Sequence, residues 1–424
     1  MTTDKLISDH YTTFTTVPDL RNRIIGQSLA DILQAGFAMF HLKFCSLLDF
    51  DNATTAQRDN IKSVYGISKV CSDTQMRRMI DRVEPTVVEE RIHSLINEEF
   101  HRSGTAREYT VFDGRLIVSL DGVEHFRSHK VHCASCLVKH SKTKGTSYYH
   151  QMLCGSIVHP DQAQVFPAVV EPIVKQDGQT KNDCERNAAM RVIDQLNRGY
   201  AGRKLLIVAD GLYSCGPFLD KLIEYNHDFI ITAKPGDHKA LFKHFTTWSD
   251  RGATKKLEVI NKGVTHRFEW ANGLGLNETW SAMKLNVLMY EQIDAKGRVT
   301  RFSWVTNRKL SKRNVEQIMR IGRSRWKVEN ETFNTLKNQG YNFEHNYGHG
   351  HQYLSTTLSY LMLLAFLTDQ LIERCCEDFR LILGKTKTRV KLWFQQRALF
   401  TSQAFDSFNG IYGRLAELFG VQLI

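Results

Sequence analysis

The stretch Leu116-Ile117-Val118-Ser119-Leu120-Asp121-Gly122 decides how this chain folds, and Leu205-Leu206-Ile207-Val208-Ala209-Asp210-Gly211 repeats its form. Short uninterrupted apolar runs are the pattern of strands covered on both faces, whereas half-exposed strands alternate. Each run is expected to end at its aspartate. A third acid, Glu329, lies in Arg325-Trp326-Lys327-Val328-Glu329-Asn330-Glu331-Thr332-Phe333, which reads as helix. Singly these acids mean little, since Asp-Gly after a strand is usually a turn and a helical Glu is usually a solvated face. Together, two acids at the ends of neighbouring strands and a third on a facing helix form a cage for divalent cations. Such a cage suits phosphoryl transfer.

The elements around these runs come in a definite order. Strand character at Arg115–Leu120, Tyr148–Val158 and Gln164–Val170 is followed by an amphipathic helix over 182–197. A strand over Leu205–Ala209, a helix over Phe218–Tyr225 and a strand over Phe229–Ala233 complete the series. Hairpin strands, helix, strand, helix, strand describe a ribonuclease-H-like α/β core, with the acids on its first and fourth strands. Lys256–Ile260, Thr265–Ala271, Met283–Tyr290 and Val299–Thr306 alternate and are punctuated by turns, which marks a β-rich insertion. Helix resumes near Ser311, and no proline after Pro235 interrupts it. The expected division is a helical region over 1–108, a catalytic core over 109–245 and 309–350, an insertion over 246–308 and a helical region over 351–424.

Composition names the class of partner. The 424 residues carry 56 Lys+Arg against 45 Asp+Glu, a formal charge of +11 and a pI near 9.1. Such a balance favours polyanions, nucleic acid first. The N-terminus lacks the apolar core of a signal peptide, and nine scattered cysteines suit a reducing cytosol better than a disulfide framework. Tyr353–Thr368 is uncharged and approaches the length of a spanning helix, but its serines and threonines fit a buried core helix better, so no membrane is expected. Within 56–83, a helix to Tyr65, a turn over Gly66–Cys71 and a second helix over Ser72–Val83 form a candidate helix-turn-helix. Its second helix would project Arg77 and Arg78 towards DNA. A plain helical hairpin with solvated arginines is the simpler reading of the same residues.

Helical spacing separates the acids of the third motif. Trp326, Phe333 and Leu336 stand at i−3, i+4 and i+7 from Glu329, which puts Glu329 on the apolar stripe facing the sheet. Glu331 is about 200° further round. A carboxylate on a buried stripe is expensive unless it is paired or binds a metal, so Glu329 is the expected ligand.

These motifs resemble those of the DDE transposases of bacterial insertion sequences, in the group whose third motif reads Arg-x-x-x-Glu followed by Lys and whose core carries a β-insertion. The string Trp326–Gly340 is similar to a family signature as a whole, and Phe343-Glu344-His345-Asn346-Tyr347-Gly348 continues it. The resemblance implies that Asp121, Asp210 and Glu329 hold Mg²⁺ or Mn²⁺, two ions per site. It implies that water cuts the strand at the element's end and that the freed 3′-hydroxyl attacks target DNA. Arg325 and Lys337 would hold flanking phosphates. The implied partners are double-stranded DNA, as element ends and as target, and a second copy of the chain on that DNA, in a bacterial cytoplasm at the nucleoid. Two departures stand out. Gly322 replaces a tyrosine expected three residues before Arg325, and Lys337 follows Glu329 by eight residues rather than seven, a rotation of about 80° instead of about 20° in a regular helix.

Two further groups carry chemistry of their own. His132-Cys133-x-x-Cys136-x-x-x-His140 has ligand types and spacing for zinc, although the single Cys-x-x-Cys lacks a second pair. The resemblance also implies that the insertion can carry an aromatic that stacks on a displaced base, for which Trp270, Trp280 and Trp304 are the candidates, against a default of core packing. The competing functional readings are a catalytically inert DNA-binding protein derived from a transposase and a metal-dependent DNA nuclease.

Overall fold

The computed structural model describes residues 2–19, 21, 26–56, 58–102, 104–175 and 183–423. Among the described residues, eleven strands form one sheet: β1 (Thr110–Val111), β2 (Arg115–Ser128), β3 (Leu137–Ser141), β4 (Gly145–Val158), β5 (Phe166–Ile173), β6 (Leu205–Ala209), β7 (Asp228–Thr232), β8 (Lys255–Asn261), β9 (Val264–Gly275), β10 (Lys284–Ile293) and β11 (Val299–Thr306). At its centre β5, β4 and β2 are antiparallel neighbours, and β6 and β7 continue beside β2 in parallel. That is the ribonuclease-H-like order, and every residue of β6 is buried, as its apolar run requires.

The insertion does not stand apart. β11 pairs antiparallel with β7 and carries β10, β9 and β8 outward, so the four strands lengthen the central sheet. Helices α8 (Glu185–Gly199), α9 (Gly216–Glu224) and α10 (Lys239–Asp250) interleave with the strands. The start of the expected helix at Asn182 lies outside the described residues. α11 (Val315–Arg323), a π-helical turn over Val328–Phe333 and α12 (Asn334–Asn338) follow β11.

The two chain ends build one helical body. Its N-terminal part comprises α1 (Thr3–Thr15), α2 (Leu29–His41), α3 (Leu47–Ala56), α4 (Arg58–Tyr65), α5 (Asp73–Ile80), α6 (Thr86–Arg102) and α7 (Thr105–Tyr109). Its C-terminal part comprises α13 (Leu354–Cys375), α14 (Glu377–Thr386), α15 (Arg389–Ser402) and α16 (Phe408–Phe419). All residues of α2 are buried, and Gly36 lets α13 approach so closely that a Cβ there would lie 2.9 Å from Leu361. Thr3 bonds Tyr412 at 3.0 Å, His10 bonds Thr368 at 2.9 Å, and Lys43 pairs with Asp369 at 2.6 Å. A helix buried on every side cannot cover itself, so the ends expected as separate regions share a core. α13 is long and apolar enough to cross a membrane, but 89% of its most apolar stretch is buried inside the protein.

Candidate active site

Asp121 does not end its strand. β2 runs on to Ser128, and Gly122 is an inner strand residue, held in pairing with Leu153 of β4. What stops at this level is the parallel ladder: β6 pairs with Leu116 to Ser119 only. Its register sets Val208 opposite Ser119, so Asp210, two residues on, comes level with Asp121 where the strands part. Asp210 then caps the short 3₁₀ turn Gly211–Tyr213, accepting a hydrogen bond from the Leu212 amide at 2.8 Å. Gly122 is small for a tertiary reason. The carboxylate of Glu185, at the start of α8, lies where its Cβ would be, 2.6–2.8 Å away.

Glu329 reaches the same place from the other face. Ser119 Oγ donates to the carbonyl of Arg325 at 3.0 Å, and Ser156 Oγ of β4 meets Thr332 Oγ1 at 3.1 Å. These bonds fix the π-helical turn over β2 and β4. Arg325 Nη1 then bridges Glu329 Oε1 at 2.7 Å and Asp121 Oδ2 at 3.3 Å. Side-chain exposures of 19% for Asp121, 23% for Arg325 and 48% for Glu329 describe a cluster open on one side. The helix-face expectation for Glu329 is corrected here. Trp326 is 43% exposed, and Glu329 stands on the open rim, because Val328, Thr332 and Phe333 form the buried side of a π turn rather than of a regular helix. The extra residue of that turn also bears on Lys337. A π turn takes up the eighth residue that would rotate it away in a regular helix, and Lys337 lies near His125, further along β2, with Glu344 at 2.7 Å.

The electrostatics are those of crowded acids around one cation. Burial, the hydrogen bond to Glu329 and repulsion from Glu329 and Asp210 push Asp121 up to about 7 against the pull of Arg325. Burial works upward on Glu329 too, but hydrogen bonds from Arg325 and Asp121 hold it below the usual carboxylate range. Crowding thus disfavours charging both acids at once, and Asp121, the more buried of the two, is the one pushed upward. Beside Asp210 opens a cleft of about 530 Å³ lined by Arg186, Lys234, Asp237 and His238 among others.

Other expected residues are placed differently. Trp270 and Trp304 are 1% and 2% exposed, core residues without access to a DNA base. Trp304 also explains Gly322, whose Cβ would meet its indole nitrogen at 2.6 Å. A tyrosine there would displace the tryptophan. Trp280 is half-buried against Gly216, at the start of α9 and next to Cys215 of the cleft wall. Within the candidate helix-turn-helix, α5 begins at its Ser72 cap as expected but ends at Ile80, and it packs on α2 and α13 rather than on α4. Arg78 is exposed, whereas Arg77 is drawn in beside Gly348 and pairs with Asp73 at 3.5 Å. His132 stacks on Tyr148 and His140 bonds Thr146, both away from the thiols of Cys133 and Cys136. Glu185 was legible only as a helix-start acid, and its closeness to Gly122 has no signal in sequence. Asp183, its neighbour, is spent on Arg191 at 2.9 Å and Asn187 at 2.8 Å.

The family described as "Transposase DDE domain" matches residues 123–367. The chain belongs to that family. The match covers more than half of the chain, includes Asp210 and Glu329, and begins two residues after Asp121. No curated protein matches the chain. Membership brings a transposase- or nuclease-type activity on DNA and, as is general in the family, divalent metal ions.

Proposed function

We propose that this chain is the transposase of a bacterial insertion sequence, of the Arg-x-x-x-Glu type, which cleaves its element's ends and joins them to target DNA. The observation that supports it is the gathering of Asp121, Asp210 and Glu329 around Arg325 in a DDE-family chain. The donors are all carboxylate oxygens, a hard set suited to Mg²⁺ or Mn²⁺. A pair of such ions supplies Lewis-acid stabilisation to the attacking and leaving oxygens of an in-line displacement.

The chain's own residues hold and orient the DNA. Arg325 neutralises the acids in this structure, and its planar fork takes a phosphate bidentately once their charge is met otherwise. Lys337 offers a point charge further along the same side. Arg186 and Lys234 line the cleft at Asp210, where a backbone phosphate can be steered. Of Arg77 and Arg78, Arg78 is the exposed one and would meet duplex DNA, in an assembly of two copies on paired ends.

Full-length protein incubated with Mg²⁺ and labelled duplex carrying the genomic sequence at the ends of its element tests the reading. End-specific nicking followed by joining to a second duplex is expected. Tight end binding without nicking would support the inert derivative instead. Cutting of any duplex alike would support the nuclease.

A further inference from the structure

Beyond the carboxylates, one cluster of side chains has the shape of a metal centre. Cys133 and Cys136, in the loop between β2 and β3, meet His150 of β4 and His349 of the loop before α13. Their sulfurs are 3.7 Å apart. His150 Nε2 lies 3.4 Å from each sulfur, His349 Nδ1 lies 3.6 Å from Cys136 Sγ, and the two nitrogens are 3.3 Å apart. A tetrahedron built on Zn–S of about 2.3 Å and Zn–N of about 2.0–2.1 Å has edges of about 3.8 Å for S–S, 3.6 Å for S–N and 3.3 Å for N–N. All five distances agree within about 0.2 Å.

Neither a disulfide nor hydrogen bonding accounts for the cluster as well. A disulfide needs sulfurs about 2.05 Å apart. Hydrogen bonding alone leaves His349 without a reason for its orientation, since its Nε2 is buried without a partner while Nδ1 is aimed into the cluster. A single ion would instead give His349 Nδ1 and His150 Nε2, which both point at Cys136 Sγ and at each other, one common partner. The turn at the cysteines is also arranged for thiolates, because the Cys133 amide approaches Cys136 Sγ at 3.4 Å.

We propose that Cys133, Cys136, His150 and His349 bind one structural zinc ion. The four protein ligands complete the coordination, so the site is closed and takes no substrate. Its ligands come from the far end of the β2–β4 hairpin and from the segment that follows the Glu329 helix. The ion thus ties the exposed Lys139, Lys142 and Lys144 of the β3–β4 hairpin to the polypeptide that carries the third acid. It also anchors the approach to α13, where Asp81 of the α5 terminus accepts amide hydrogen bonds from His351, Gln352, Tyr353 and Leu354 at 2.8–3.1 Å.

The test uses the full chain, purified without chelators from zinc-supplemented cells. One zinc per chain is expected, retained through dialysis against Mg²⁺ and released by a thiol-reactive mercurial. Cys136→Ser and His349→Ala should lose it, and His132→Ala and His140→Ala should keep it. X-ray absorption of the unmodified protein does not depend on variants that fold, and should show two sulfur and two nitrogen neighbours. A folded protein that neither carries zinc nor takes it up after stripping would overturn the proposal. So would a shell of oxygen and nitrogen alone, or zinc loss in His140→Ala equal to that in His349→Ala.

Discussion

Arg325 and Lys43 each pair with acids, one at an open rim and one in the sealed core, and they do so to opposite ends. Arg325 joins Asp121 and Glu329 at a rim where the glutamate is 48% exposed. Lys43 joins Asp369 where the two side chains are 5% and 4% exposed, and it also donates to the His41 carbonyl at 2.8 Å. Tyr341 Oη donates to the same Asp369 carboxylate, and the ammonium lies 4.4 Å and 4.3 Å from the ring centres of Tyr341 and Trp393. The sealed cluster satisfies each charge from several sides and has no room for another partner. The open one leaves Asp121 and Glu329 to a single arginine with Asp210 close by, an arrangement that an incoming cation can replace. Access, more than the number of charges, separates a fastening from a reactive site.

The largest effect should come from neutralising the open cluster. Asp121→Asn, Asp210→Asn and Glu329→Gln each remove charge but little volume. Each is expected to lower cleavage and strand transfer by at least about 100-fold, as loss of a group that stabilises transition-state charge does. DNA affinity and thermal midpoint should change little. Glu331→Gln should cut normally; the reverse pattern, with Glu329→Gln active and Glu331→Gln dead, would move the site to the other acid. Glu185→Gln should fall between them, since Glu185 presses on β2 from behind at Gly122.

The sealed cluster should show the opposite signature. Asp369→Ala strands the Lys43 charge in the core and is expected to cost about 3–5 kcal/mol of stability. Thermal denaturation reads this directly, and nicking by whatever folded protein remains should persist. A midpoint within a degree or two of the parent would mean that the cluster is solvated and the contrast with Arg325 is false.

A milder probe of the same interior is acid. Burial lowers His41 to about 4, with Asp369 pulling it up and Lys43 pushing it down. Its folded value lies below the unfolded 6.5, so neutral His41 contributes stability that is complete above pH 6.5. That contribution is lost as pH falls from 6.5 through about 4. Burial brings His227 to about 4 as well, and the sign is the same. Melting midpoints that stay level between pH 7 and pH 4 would show that these histidines reach solvent.

How far sequence reached into these features depended on whether the cause was local. Leu116–Leu120 and Leu205–Ala209 could be read as strands because burial on both faces writes itself into an apolar run. The ribonuclease-H-like order and the four insertion strands were legible for the same kind of reason. What lay beyond reach was set by distant contacts. Gly122 looks like a turn until Glu185 is seen over it, and Gly322 looks like a departure until Trp304 is seen against it. The π turn that lifts Glu329 off the buried stripe has no signature at a 3.6-residue period. Cys133 and Cys136 announced themselves by spacing, but His150 and His349 join them only through strand pairing and the return of the chain before α13. The shared core of the two ends was equally silent, since α2 and α13 each read as an ordinary apolar helix.

The smallest effect expected concerns Trp280, the one of the three candidate tryptophans that lies beside the open cluster. Trp270 and Trp304 are interior residues, so replacing either with alanine should lower stability by about 3–5 kcal/mol and reduce every activity in proportion to the folded protein that remains. Trp280 differs, because it lies half-buried on Gly216, beside the cleft that holds Asp210. Stacking of a base displaced during second-strand processing on the exposed part of its ring face would contribute about 1–3 kcal/mol. Trp280→Ala should therefore slow the second-strand step while first-strand nicking and the melting midpoint stay close to the parent. Assays on intact and pre-nicked ends separate the two steps. If Trp280→Ala instead slowed both together with a matching loss of stability, Trp280 is a packing residue like the other two.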